Sequence, residues 1–289
     1  MNKIAIIAAI LMCSTVAAQD FVHEFSVNIG GGTSSFQTQP TQGKDLMKLT
    51  GTAGLGYHYF FNPQWGIGSG LNFAAYKGGI TIDKYDGKQE TVNTVTGHTF
   101  EFMVSSSNYN ETQQTTIITI PLMAQYQTEG ETAFYAALGF KAGIPVLTKS
   151  QSKGAYTTKG RYSNLGITYE DLPDYGFVTN QPFPKNKTGF GLRPAFIAST
   201  ELGIKSRLDE STFLYIGIFV DYGLNNMSKK GDKANNGLVV FQSDAPAQLA
   251  YNTAVGSYAK KIAPLAVGIT IRFSYGRETL RRATFPITE

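Results

Sequence analysis

An alternation constrains this chain more than any other feature. Beyond residue 19 there is no apolar run of the roughly 20 residues that a membrane-spanning helix needs, yet eight segments place apolar residues at every second position. Period two marks strands whose two faces meet different surroundings. The segments are 21–30, 48–60, 65–77, 114–127, 133–145, 189–205, 212–224 and 261–276. In the seventh, Leu214, Ile216, Ile218, Val220 and Tyr222 share a face, and in the eighth Leu265, Val267, Ile269, Ile271, Phe273 and Tyr275 do. The opposite faces carry Gly, Thr, Ser, Asn, Gln and a few charges.

Such strands make either a soluble sandwich with its apolar face inside or a membrane barrel with that face turned to lipid. The connections discriminate. Short links at 61–64, 128–132 and 206–211 are rich in turn formers. Long links at 31–47, 78–113, 146–188 and 225–260 alternate with them, and three of the four break the limit of roughly 15 residues that compact soluble domains tolerate. Within the second, Ile80-Thr81-Ile82 and Thr99 to Val104 look like strand extensions above the membrane around a turn signal at Asp86-Gly87. Short turns on one rim and long loops on the other are the layout of an outer-membrane barrel. Aromatics agree, because interfacial rings mark strand ends at a membrane. Tyr57, Tyr59, Phe60, Phe61 and Trp65 flank the first short turn, Tyr126 and Phe134 the second, Phe213 and Tyr215 the third, and Phe273 and Tyr275 close the last strand. The fold expected is all-β: an eight-stranded antiparallel up-and-down transmembrane β-barrel with short periplasmic turns and long extracellular loops.

The start of the chain fits export. Lys3, the apolar run Ile4 to Met12, and the small residues Val16-Ala17-Ala18 before Gln19 read as a secretory signal peptide over 1–18. The barrel is then expected over 19–276 and a short periplasmic tail over 277–289. A net charge of +4 with scattered Lys and Arg excludes a nucleic-acid partner. The single cysteine, Cys13, makes neither a disulfide nor a metal cluster.

The chain resembles a family: the small outer-membrane β-barrels of Bacteroidetes-type bacteria, the PorT-like and OmpA-like barrel domains. The resemblance rests on the leader ending before Gln19, the glycine-alternating hairpin Gly54-Leu55-Gly56-Tyr57 to Gly66-Ile67-Gly68-Ser69-Gly70-Leu71, the inward proline of Ile120-Pro121-Leu122, and the aromatic last strand. It covers residues 20–276 and implies a barrel rather than an activity. Only residues 277–289 follow the last strand, so a peptidoglycan-binding domain of the OmpA kind is not expected.

Two groups of residues are candidates for function. Glu24, Glu201 and Asp221 fall on the inward faces with Lys141, Arg193, Lys205 and Arg272. A bore of eight strands is barely wide enough for its own side chains, so these charges should pair and plug it. Outside, Tyr162, Tyr169, Tyr175 and Phe177 stand among acids in the third long loop, a composition suited to contact with a protein or glycan ligand. The inward glycines lack the lysine and helix of a phosphate loop. The histidines at 23, 58 and 98 lack metal-ligand spacing. No catalytic residue, cofactor or metal is therefore expected. The chain reads as a surface protein of the outer membrane with a structural, adhesive or secretion- and assembly-linked role. Its partners would be outer-membrane lipid and lipopolysaccharide, a loop ligand, or secretion or assembly machinery. A small transport channel is the first alternative and a lipid-modifying enzyme the second.

Overall fold

The computed structural model describes residues 22–93, 97–184, 191–229 and 237–278. The expected signal peptide and most of the expected tail lie outside these residues; 277 and 278 complete the last strand. Eight long strands follow one another: β1 (Val22–Phe36), β2 (Lys44–Phe60), β3 (Trp65–Val92), β4 (Thr99–Gln127), β5 (Thr132–Tyr162), β6 (Ala195–Arg207), β7 (Thr212–Gly223) and β8 (Pro264–Glu278). Each pairs antiparallel with its neighbours in chain order, and β8 pairs with β1. The ring is closed. Among the described residues, closure leaves the ring without an unpaired backbone edge at the height of the belt, which hydrocarbon surroundings require.

Side-chain direction shows which face meets lipid. Phe134, Leu138 and Phe140 are 70%, 67% and 63% exposed on the outside of β5, whereas Tyr135 between them is buried. On β7 and β8, Ile218 and Ile269 are 56% and 58% exposed. A belt of this kind loses stability in water and gains it in lipid. On β4 it runs from Ile118 through Ile120, Leu122 and Ala124 to Tyr126, about the nine to eleven residues a tilted strand needs to cross. No helix among the described residues is long and apolar enough to cross.

Three of the strands do not stop at the belt. β3, β4 and β5 are 28, 29 and 31 residues long, against 13 and 12 for β6 and β7. The excess is a three-stranded sheet rising beyond the long-loop rim, here called the crown. Much of the expected loops at 78–113 and 146–188 is thus strand. The Asp86-Gly87 pair, a turn signal in sequence, lies inside β3 opposite Ser105 and Val104; a Cβ at Gly87 would run into the Tyr85 ring, so the glycine serves close approach rather than reversal. The chain reverses instead at Asn93, whose N–H donates to the His98 carbonyl at 3.0 Å. Strand β6 begins at Ala195, later than expected, because Pro194 cannot join a ladder.

The crown has its own apolar core. Tyr76, Ile80, Ile82 and Tyr85 of β3, Phe100, Phe102, Val104 and Tyr109 of β4, and Tyr156 of β5 face the same side and are buried. Phe177 and Phe183 from 163–194, and Leu238, Val239, Phe241 and Val255 from 224–263, cover them. Asn108 keeps this alternation in phase: its φ of 56° sits in a register shift between Ser107 and Asn110, a bulge that returns Tyr109 to the inner face.

Candidate functional site

The bore is filled in tiers, each built from the inward positions of several strands. Nearest the short turns, Lys205 Nζ lies 2.8 Å from Glu24 Oε1 and 3.3 Å from Gln127 Oε1. The Tyr215 hydroxyl donates to the other Glu24 oxygen at 2.7 Å. Aromatic rings complete this tier, with Phe213, Phe60 and Tyr215 centred 4.0, 5.2 and 5.2 Å from the ammonium. A cation so held has its charge balanced by carboxylate and by ring faces. Next, Arg272 bonds His58 and Gln125, each at 2.8 Å, and lies 3.9 Å from the Tyr215 ring centroid. Tyr135 donates to Glu201 at 2.5 Å. The Tyr135 ring fits because Gly203 and Gly217 pair across β6 and β7 beneath it; a Cβ on either would collide with it. Above, Asp221 accepts from Lys141, Ser199 and Tyr76, all at 2.7 Å. The bore thus holds Glu24, Glu201 and Asp221 against Lys141, Lys205 and Arg272. The open space between the last two tiers is a chamber of about 70 Å³ lined in part by His58, Lys141, Glu201 and Arg272.

The crown is tied down by a carboxylate. Glu111, on the inner face of β4, is buried and accepts from the backbone N–H of Ala254 at 2.5 Å and of Val255 at 3.3 Å, at the start of helix α1 (Ala254–Tyr258). Gln113 and Tyr109 donate to it at 2.9 and 2.7 Å. Burial first, and the neighbouring Glu111 charge second, push the Tyr109 phenol above its ordinary range. At the far tip, Tyr162, Leu165, Tyr169, Leu172 and Tyr175 line a groove of about 300 Å³.

The sequence matches a family model described as the outer membrane protein beta-barrel domain over residues 17–175, more than half of the chain. The chain belongs to that family. No curated protein matches it. Among solved structures, the Ail attachment invasion locus protein of Yersinia pestis, in complex with the heparin analogue sucrose octasulfate, is 12% identical with a TM-score of 0.33, covering 88% of this chain and 99% of that one. Neisserial surface protein A is 7% identical at a TM-score of 0.34, over 88% and 96%. The N-terminal barrel of Pseudomonas aeruginosa OprF is 9% identical at 0.32, over 89% and 99%. Scores this low add nothing to the family assignment, which rests on the sequence match.

Of the seven charged residues expected in the bore, six line it. Arg193 does not: it is exposed, precedes β6 behind Pro194, and its N–H donates to the Met227 carbonyl. Lys205, which shares the parity of Glu201 on β6, lines the bore as its parity implies and lies beside Glu24. Phe60, Phe213 and Tyr215, expected in the outer aromatic girdle, are buried inside. Phe213 and Tyr215 alternate with the outward Leu214 and Ile216, so their direction also follows from period two. Among the four loop aromatics, Tyr162 and Phe177 are buried, with Tyr162 stacked on Phe100 at 4.9 Å, while Tyr169 and Tyr175 are 39% and 51% exposed. The histidines lie apart. His23 bonds Tyr57 on the outer face, His58 sits in the bore, and His98 is at the β3–β4 tip.

Proposed function

We propose that this barrel is a closed anchor that displays the crown outside the cell, where it contacts a protein or glycan ligand or a component of secretion or assembly machinery. The observation that carries the reading is the extension of β3, β4 and β5 beyond the belt into a sheet with its own packed core. A channel gains nothing from a covered upper sheet, whereas a binding surface gains rigidity, and rigid display lowers the ordering cost of association. The paired charges of the bore favour a plug over the transport alternative. The separation of the three histidines favours a non-enzymatic role over lipid modification. The long-loop rim would be extracellular, the short turns periplasmic, and a PorT-like role in assembly is the form that the family resemblance favours.

Photo-crosslinking in intact cells tests this. A photoreactive residue at Tyr175, on the crown, should capture a partner at the cell surface. The same residue at Glu129, in a short turn, should not capture it. Steady ion-selective current through the purified protein in planar bilayers, with no capture from Tyr175, would overturn the reading in favour of a channel.

A further inference from the structure

Just beyond the belt, the outer face of β2–β5 turns to lysine. The ladder sets Lys77, Gln114 and Lys149 side by side on β3, β4 and β5, two residues past the row of Ala75, Thr116 and Leu147. Tyr76, Gln113 and Ser150, next to them in sequence, are buried on the inner face, so the row itself points outward. A second row, Lys44, Thr81, Asn110 and Lys153, lies four residues higher on β3. Lys48 bridges the rows; its Cε is 3.3 Å from where a Cβ on Gly79 would stand. Five lysines therefore share one outer face. Lysines farther up are matched by acids, in the pairs Lys84–Asp86, Lys88–Glu101 and Lys159–Glu170. Among the described residues, none of the five takes part in an ion pair.

Position decides what such a face can hold. At about 3.3 Å per residue the first row stands roughly 7 Å along the strand past the last apolar pair, which is headgroup depth beside a hydrocarbon core of about 30 Å. Lys77 and Lys149 are two strand spacings apart, roughly 10 Å. Their long stems let both ammonium groups lean over the Gln114 amide toward one tetrahedral anion, with Lys48 at the side. Unneutralised positive charge at headgroup height is complementary to lipid phosphate. We propose that Lys48, Lys77 and Lys149, extended by Lys44 and Lys153, bind the phosphate-bearing headgroup of an outer-leaflet lipid. This rests on the outer-membrane reading of the barrel and is independent of what the crown contacts.

The test uses the protein refolded into phosphatidylcholine vesicles that contain lipid A with its phosphates intact, or lipid A stripped of them. Thermal unfolding, followed by heat-modifiable mobility, reads the effect. Intact lipid A should raise the midpoint, more at low salt than at high, and stripped lipid A should not. The double variant K77Q/K149Q should fold but bind the phosphorylated lipid roughly tenfold or more weakly, while K88Q, at a paired lysine, should respond like the parent. An equal response to stripped lipid, an unchanged response in K77Q/K149Q, or the same stabilisation by inorganic phosphate alone would overturn the proposal. Failure of the parent protein to insert into any vesicle would instead overturn the outer-membrane reading beneath it.

Discussion

The lower and upper halves of β4 run in one unbroken strand and yet are built inside out from one another. In the belt, Ile118, Ile120 and Leu122 face outward, while Thr119, Gln125 and Gln127 face the bore. In the crown, Phe100, Phe102 and Val104 face inward, while Ser105 and Ser107 face out. Alternation is the same in both halves; the solvent is not. Lipid outside the belt draws apolar groups outward and leaves a polar bore to satisfy itself by pairing. Water outside the crown draws apolar groups inward, where loops must cover them. A transition in the surroundings is thus written into a strand as a change of which face is apolar, with Asn108 taking up the phase.

The comparison is broken most severely by removing one inner group from each half. Glu24→Ala strands Lys205 in the bore and should cost about 3–5 kcal/mol. Phe102→Ala opens the crown core at a similar cost, roughly 3–5 kcal/mol. Their consequences should differ. Loss of Glu24 should lower the unfolding midpoint of the whole barrel and be partly recovered by adding Lys205→Met, whereas loss of Phe102 should increase protease cleavage within 163–194 and 224–263 and leave the barrel's heat-modifiable band in place.

A charge on the outer face gives the next largest contrast. Ile218→Arg in the belt should cost about 2–4 kcal/mol in refolding titrations, and Ser105→Arg in the crown should stay within about 0.5 kcal/mol. Equal costs would mean that both halves meet the same solvent.

Smaller still is the effect at Glu111. Replacing its carboxylate by alanine leaves the Ala254 and Val255 N–H groups without their acceptor and should cost about 1–3 kcal/mol, read as faster amide exchange over 237–258. The same contact has an alkaline limit. Tyr109 is held above its ordinary range in the folded crown, so its share of stability is full below the unfolded phenol's value of about 10 and falls as pH rises beyond it. An alkaline loss of crown signals that is unchanged in Tyr109→Phe would contradict this.

These halves were not equally legible. Belt strands announced themselves, because lipid demands an uninterrupted apolar face and Leu214, Ile216, Ile218 and Val220 supply it. The crown did so only in part. In Asp83-Lys84-Tyr85-Asp86-Gly87-Lys88 the inward side is one tyrosine and one glycine, and the residues that bury Tyr85 come from positions such as Leu238, more than 150 residues away. Only long-range packing turns that segment into strand. The bore was half legible. Parity places Glu24, Lys141, Asp221 and Arg272 inside, but which acid meets which base depends on the shear of the closed ring, which no single strand records. Parity puts Lys205 inside as well, but only the closed ring sets it against Glu24; Arg193 lies outside for a local reason, the proline that follows it.

Cysteine accessibility along β4 tests the central claim of a strand that changes solvent midway. With Cys13 replaced by serine, single cysteines at Ser105, Thr112, Ile118, Ile120 and Leu122 on the outer face, and at Val104 on the inner, would be exposed to a membrane-impermeant maleimide in the folded, lipid-embedded protein. Labelling is expected at 105 and 112 and none at 118, 120, 122 or 104. Labelling at 120 would remove the lipid belt, and labelling at 104 would remove the crown's core; either result would contradict the account.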